Sequence, residues 1–187
     1  MINNGNDASD KGIDGDERYT PYYAVDPILK YLKPHSYIWC PFDKQWSAFV
    51  VKLRKAGHTV VATHIDNGDD FFLQPYMKEL DYIISNPPFS IKDEVLDRLY
   101  HWGTPFMMLL PVPTIQGIKR GRLFIKYGVQ MLSFDDRIGY HDRDKMNIPN
   151  PSHMTGSAYF CYKVLPRDLI VEKLVKYNRQ LEEDLKC

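Results

Sequence analysis

The chain reads as an α/β protein built on a mostly parallel sheet with helices on its faces. Short apolar runs alternate with segments of helical period, which is the grammar of repeated strand-helix-strand units. One run, Pro105 to Leu110, is apolar without interruption, as expected of a strand covered on both faces. Gly57 closes one helical segment just before the next strand.

In chain order the pattern predicts a helix over Tyr22 to Leu32, a strand over Tyr37 to Cys40, a helix over Trp46 to Lys55 and a strand over Thr59 to Thr63. The apolar run Tyr82 to Ser85 ends at Asn86-Pro87-Pro88 and leads into a helix whose Ile91, Val95 and Leu99 share one face. Ser90 and Asp93 have the spacing of a capping box at its start. A helix over Ile115 to Tyr127 follows the Pro105 to Leu110 strand, and Val129 to Phe134 and Ala158 to Val164 complete the strands. The polar, proline-containing stretch 135–155 is longer than a compact domain usually keeps without a use, and it reads as a substrate-recognition loop. From Pro166, a favoured first helical residue, a stripe of Ile170, Leu174, Tyr177, Leu181 and Leu185 predicts a final helix, either docked on the domain or contacting a second copy. Residues 1–18, acidic and poor in apolar groups, are expected to be a disordered tail, leaving 19–187 as one domain.

Composition narrows the functional classes. With 44% hydrophobic residues over 187 positions there is enough for one good core, and no run approaches the roughly 18 apolar residues of a membrane span. The polar N-terminus lacks the pattern of a signal peptide, so a cytoplasmic protein is expected. Cys40, Cys161 and Cys187 are too far apart for a zinc knuckle, and the histidines form no metal-binding pair, so no metal is expected. Lys plus Arg equals Asp plus Glu at 24 each, which excludes binding to nucleic acid by net charge alone and requires a local patch. Candidates are Lys119, Arg120 and Arg122 in the acid-free segment after Gly117, otherwise a solvated helix face, together with Arg137, Arg143 and Lys145 in the long loop.

The most specific signal is Asn86-Pro87-Pro88-Phe89 directly after an apolar strand. Its chance occurrence in a chain of this length is of order 10⁻³. The place, just beyond the carboxyl end of a strand, is where open α/β sheets bind ligands, although Asn-Pro also opens ordinary turns. Asn86-Pro87-Pro88-Phe89 resembles the fourth motif of the S-adenosylmethionine-dependent amino-methyltransferases, and the resemblance implies as acceptor an exocyclic amine on a base, a weak nucleophile because its lone pair is delocalised into the ring. The Asn86 side-chain oxygen and the Pro87 carbonyl could each accept one amine hydrogen and so localise that pair, with the carbonyl held in place by proline's fixed φ. Phe89 could stack on the base, a contact worth roughly 1–3 kcal/mol.

With Thr20-Pro21 ahead of the first strand, and with Leu109-Leu110-Pro111 before Gly117-x-x-Arg120, the pattern is similar to compact DNA adenine-N6 methyltransferases of phages and mobile elements, over about residues 19–170. The resemblance implies a Rossmann-like methyltransferase fold whose last strand is antiparallel. It implies methyl transfer from S-adenosyl-L-methionine to adenine N6, with Asn86, Pro87, Pro88 and Phe89 as the catalytic group. It places the cofactor against Thr20, Pro21, Cys40, Pro41, Asp43, Asp70, Phe71 and Asn86, with Asp43 taking the ammonium unless it is only a helix-start residue, and Asp70 and Phe71 meeting the adenine unless they form a plain acidic turn. Either Asp66 or Asp69 would hold the ribose. The loop Pro41 to Ser47 has no glycine where the family has Gly-x-Gly, so the methionine part must be held in another way.

DNA, with the target adenine flipped out of the duplex, is the implied partner; RNA is possible, no membrane is expected, and the protein should be a monomer or weak dimer. The alternatives are adenine methylation in RNA, methylation of a glutamine side chain, and a nucleic-acid-binding module on the same fold without turnover.

Overall fold

The computed structural model of the protein describes residues 19–141, 149–150 and 155–177. In chain order the elements are α1 (Tyr22–Leu29), β1 (Tyr37–Cys40), α2 (Ala48–Lys55), β2 (Thr59–Ala62), β3 (Tyr82–Ser85), α3 (Lys92–Trp102), β4 (Phe106–Pro111), α4 (Ile118–Tyr127), β5 (Gln130–Phe134), β6 (Tyr140–His141), β7 (Pro149–Asn150), β8 (Ser157–Tyr162) and β9 (Leu169–Glu172).

A seven-stranded sheet in the order β2-β1-β3-β4-β8-β5-β9 organises the chain. The β1, β2, β3 and β4 neighbours pair in parallel, and β8 runs antiparallel to both β4 and β5. The chain moves outward from β1 to β2 and then returns to the other side of β1 for β3. This reversal opens a crevice at the carboxyl ends of β1 and β3, the topological switch point of a Rossmann-like sheet. Strands β3 and β4 are apolar on both faces because each face is covered: Ile84 and Met107 join the cluster formed with α1 and α2, whereas Ile83, Phe106 and Met108 join the cluster beneath α3.

Several expectations change on contact with the structure. The final segment from Pro166 is not a helix where it is described: Leu169–Glu172 forms β9, which pairs in parallel with β5 through Met131↔Leu169 to Phe134↔Glu172. The Leu-Ile-Val run has β-branched side chains and an open sheet edge beside it, and that pairing outweighs the helical stripe. The antiparallel strand read at Ala158 to Val164 is β8, but β9 follows it in the chain. The helix also starts one residue later than a capping box at Ser90 requires. Phe89–Ile91 forms a 3-10 turn, α3 starts after Ile91 without a side-chain cap, and Asp93 faces Arg120 instead. Within 135–155, β6 and β7 form a two-stranded ladder; the remaining residues 142–148 and 151–154, including Arg143 and Lys145, lie outside the described residues, as do the acidic stretch 1–18 and the segment 178–187.

Arg120 is the second correction of consequence. Its side chain is largely buried between α3 and α4, where it pairs with Asp93, donates through Nε to the Thr114 carbonyl at 2.8 Å and donates to the Gln116 carbonyl. The guanidinium folds back over Gly117, and its bonds to Asp93, Thr114 and Gln116 make the Gly-x-x-Arg pattern an electrostatic clamp. Arg120 is therefore not available to a polyanion, whereas Arg122 is exposed. Among the described residues no helix is long and apolar enough to cross a membrane. Removing one partner of a mostly buried ion pair is costly, so Arg120→Ala should lower stability by roughly 2–4 kcal/mol in urea denaturation, and Arg122→Ala should change it by no more than about 0.5 kcal/mol. Equal midpoints for the two variants would contradict the clamp.

Candidate active site

The carboxyl ends of the parallel strands converge on one cavity of about 320 Å³, at the small end of cofactor pockets. Four segments wall it. Tyr19 to Tyr22 lead into α1, Pro41 to Ala48 connect β1 to α2, His64 to Phe72 follow β2, and Asn86 to Ile91 follow β3; Tyr177 closes the remaining side. The chain thus brings Thr20, Pro21, Pro41, Asp43, Asp70, Phe71, Asn86, Pro87, Pro88 and Phe89 to a single surface, although they are spread over 70 positions.

Cys40 is the exception among the predicted cofactor residues. Its side chain is fully buried in the cluster with Ile38, Phe49 and Leu53 and is not part of the cavity wall, because alternation along β1 points it into the core. The basic candidates lie elsewhere: Lys119, Arg122 and Arg137 are exposed and do not line the cavity, and Lys119 sits 3.5 Å from Glu94.

Asp43 holds the floor together. It is 6% exposed, and its Oδ2 accepts from the Ser85 hydroxyl at 2.5 Å. Its backbone N–H donates to Thr63 at 3.1 Å, fastening the turn to the end of β2. Burial drives its carboxyl up to about 7, against the opposing pull of hydrogen bonds from Ser85 and Ser47. Ser85 is itself fully buried at the end of β3 and immediately precedes Asn86. One hydrogen bond therefore joins the β1 turn to the Asn-Pro-Pro-Phe segment. The Asn86 side-chain oxygen is shut off from bulk solvent, and the Phe89 carbonyl accepts from Lys92 Nζ at 2.8 Å, which restrains the turn after Pro88. Phe89 also packs edge-on against Tyr140 at 6.4 Å, bringing the start of the long loop into contact with the motif.

The far wall is aromatic. Phe71 is 3% exposed and packs among Trp39, Phe42 and Trp102, with the Arg98 guanidinium 5.7 Å from its ring. It lines the cavity together with Phe42 and Phe72, which are half-buried. Asp70 Oδ1 accepts from the Phe72 N–H at 2.8 Å, fixing the turn that carries both. Asp69 lines the cavity, whereas Asp66 does not and instead pairs with Lys44 at 2.7 Å. At the entrance Tyr19 and Trp46 lie 5.1 Å apart.

Nothing in the sequence marks Lys44, Trp46, Ser47, Ser85 or Tyr177 as a site residue. A lysine or serine in a turn reads as solvated, and only the Ser47-Ala48 helix start carried a local signal. Tyr177 reaches the site because β9 delivers it there; its hydroxyl donates to Asp26 Oδ2 at 2.5 Å, and Lys52 lies 2.6 Å from Asp26 Oδ1. Among the described residues no group of three or more His, Cys, Asp or Glu could hold a metal ion.

No family model matches the chain, and no curated protein does. A crystal structure of a Listeria monocytogenes protein, described provisionally as a class I S-adenosylmethionine-dependent methyltransferase, superposes with a TM-score of 0.45 at 12% sequence identity, over 94% of this chain and 72% of that one. A likeness so distant carries no argument about activity, which has to rest on the residues of the cavity.

Asp43 has a measurable cost. Its carboxyl ionises near 7 in the folded chain and near 4 when unfolded, so between those values the native state holds a proton that the unfolded state has released, and stability falls as pH rises through this window. Asp43→Asn keeps an acceptor for Ser85 without the charge. It should therefore raise the thermal midpoint by roughly 5 °C at pH 8 and leave it nearly unchanged at pH 4. A variant less stable than the wild type at pH 8 in differential scanning calorimetry would refute the buried-charge account.

Proposed function

We propose that the protein transfers a methyl group from S-adenosyl-L-methionine to the N6 amine of adenine in DNA. The observation that carries this reading is the placement of Asn86-Pro87-Pro88-Phe89 in the wall of the same cavity as the buried carboxyl of Asp43 and the aromatic wall beside Asp70.

The cavity chemistry fits that cofactor. A buried carboxyl suits a cationic amino group, and an aromatic wall edged by the Asp70 carboxylate suits an adenine ring with its amine. S-adenosylmethionine, when bound, supplies an electrophilic methyl on a sulfonium. Asp43 loses its proton to accept the ammonium, and Phe42 and Phe72 offer ring faces to the heterocycle. The Asn86 side-chain oxygen and the Pro87 carbonyl accept the two hydrogens of the target amine, turning its lone pair toward the methyl position. The amine nitrogen would gain the methyl group as the sulfur–methyl bond breaks, leaving a neutral thioether, and one amine proton would pass to solvent. Preorganisation matters here because Pro87 and Pro88 restrict the turn and Ser85, next to Asn86, is held from behind by Asp43.

An adenine in duplex DNA must first be flipped out, at a cost of a few kcal/mol that stacking on Phe89 would offset. Lys119, Arg122 and Arg137 are exposed cations that could meet phosphates, now without Arg120.

Nucleoside mass spectrometry of unmethylated DNA and of RNA after incubation with protein and S-adenosylmethionine tests the reading. N6-methyladenine is expected in the DNA digest, and Asn86→Ala should reduce its rate of formation by about 10²-fold or more with cofactor affinity changed by less than about threefold. Methylation only in RNA would reassign the substrate, and near-normal turnover by the variant would overturn the site.

A further inference from the structure

The turn between β1 and α2 has no glycine, and three of its amides are engaged. Asp43 N–H donates to the Thr63 carbonyl at 3.1 Å, Lys44 N–H donates to the Ser47 hydroxyl at 2.9 Å, and Ser47 N–H donates to the Lys44 carbonyl at 2.9 Å. A turn bonded in this way does not offer those amides as a cradle for an anion. An amino-acid ligand nevertheless brings a carboxylate next to its ammonium, and a carboxylate held in a largely apolar cavity needs a counter-charge.

Lys44 is the residue beside Asp43 that can supply it. Its side chain is 21% exposed and forms part of the cavity wall, with its Nζ 2.7 Å from Asp66 Oδ2 and 5.9 Å from the Trp46 ring centre. Asp66 is more than half exposed and lies outside the cavity wall, so this ion pair is of the weak, water-screened kind that a ligand carboxylate can displace or share. The start of α2 reinforces the same polarity. Ser47 at its N-cap makes no side-chain capping bond, and Ser47 and Ala48 line the cavity, so the positive end of the helix dipole lies at the cavity floor.

We propose that Lys44 binds the carboxylate of the cofactor's amino-acid part, forming with Asp43 a side-chain clamp for a zwitterion in place of a glycine-rich backbone cradle. The inference rests on S-adenosylmethionine being the cofactor, and it makes the chain selective for nucleosides carrying an intact α-amino acid. Asp66 then acts as a resting counter-ion for Lys44 that competes mildly with the ligand.

Calorimetric titration of the full chain with S-adenosylhomocysteine and with its decarboxylated analogue, which keeps the amine, thioether and nucleoside, separates these ideas without any turnover. Lys44→Ala should weaken S-adenosylhomocysteine by about ten- to a hundredfold and the decarboxylated analogue by less than about twofold. Lys44→Arg should restore most of the loss. Asp66→Asn should leave binding unchanged or tighter, whereas a purely structural role for the Lys44–Asp66 pair would make it weaken binding as Lys44→Ala does. Equal loss for both ligands in Lys44→Ala, or no loss, would overturn the clamp while leaving the cofactor reading intact; failure of the wild-type chain to bind either ligand would bring down both.

Discussion

The buried hydrogen bond between the Ser85 hydroxyl and the Asp43 carboxyl is the constraint around which the site is arranged. Each residue sits at the carboxyl end of a neighbouring parallel strand, β1 and β3, so the bond spans the crevice that the sheet topology creates. On one side it fixes the turn that leads into α2. On the other it fixes the residue immediately before Asn86. A carboxyl that is free to move would leave both halves of the cavity to settle independently, and misplacement of a reacting group by an ångström is enough to lose much of the benefit of proximity. The arrangement works against stability, because a charge held at 6% exposure is penalised, and its raised ionisation near 7 is the sign of that penalty. A cationic ligand removes the penalty, so the same feature that weakens the empty fold favours the occupied one.

The loss of glycine from the β1–α2 turn follows the same logic. Glycine-rich turns bind by exposing backbone amides, which needs conformations that side chains resist. Here Pro41 restricts the backbone, Ser47 takes up the Lys44 amide, and Thr63 anchors the Asp43 amide. The turn is rigid by internal bonding, and recognition moves to charged side chains. Aromatic rings do the remaining work: Trp39, Phe71 and Trp102 form a packed layer against which Phe42 and Phe72 rest.

Much of this was legible in the amino-acid sequence, and the exceptions have physical reasons. Strands β1 and β3 match their apolar runs residue for residue, because a proline soon after each run ends it abruptly. The Asn-Pro-Pro-Phe segment could be placed at a strand end from strand-helix alternation, whereas its closeness to Asp43 depends on β3 pairing beside β1. What pattern reading misses is what depends on partners distant in the chain. The edge strand β9 carries a helical stripe on paper, but β5 offers it a ladder. Arg120 belongs by sequence to a basic run, yet it is drawn inward by Asp93, 27 positions earlier. Cys40 is adjacent to the cavity in sequence and faces away from it in space. Lys44 and Tyr177 join the site only through the folded turn and the path of the chain after β9.

The most direct test of the account is proton linkage on ligand binding. Titrating S-adenosylhomocysteine into the wild-type chain at pH 6, in two buffers of different ionisation enthalpy, measures how many protons leave on binding. A carboxyl that ionises near 7 when the cavity is empty and carries its charge when the ammonium arrives should release close to one proton, and Asp43→Asn should release none. A binding heat that is the same in both buffers for the wild-type chain would mean that Asp43 does not meet a cation, and the central link between the floor of the cavity and its ligand would fail.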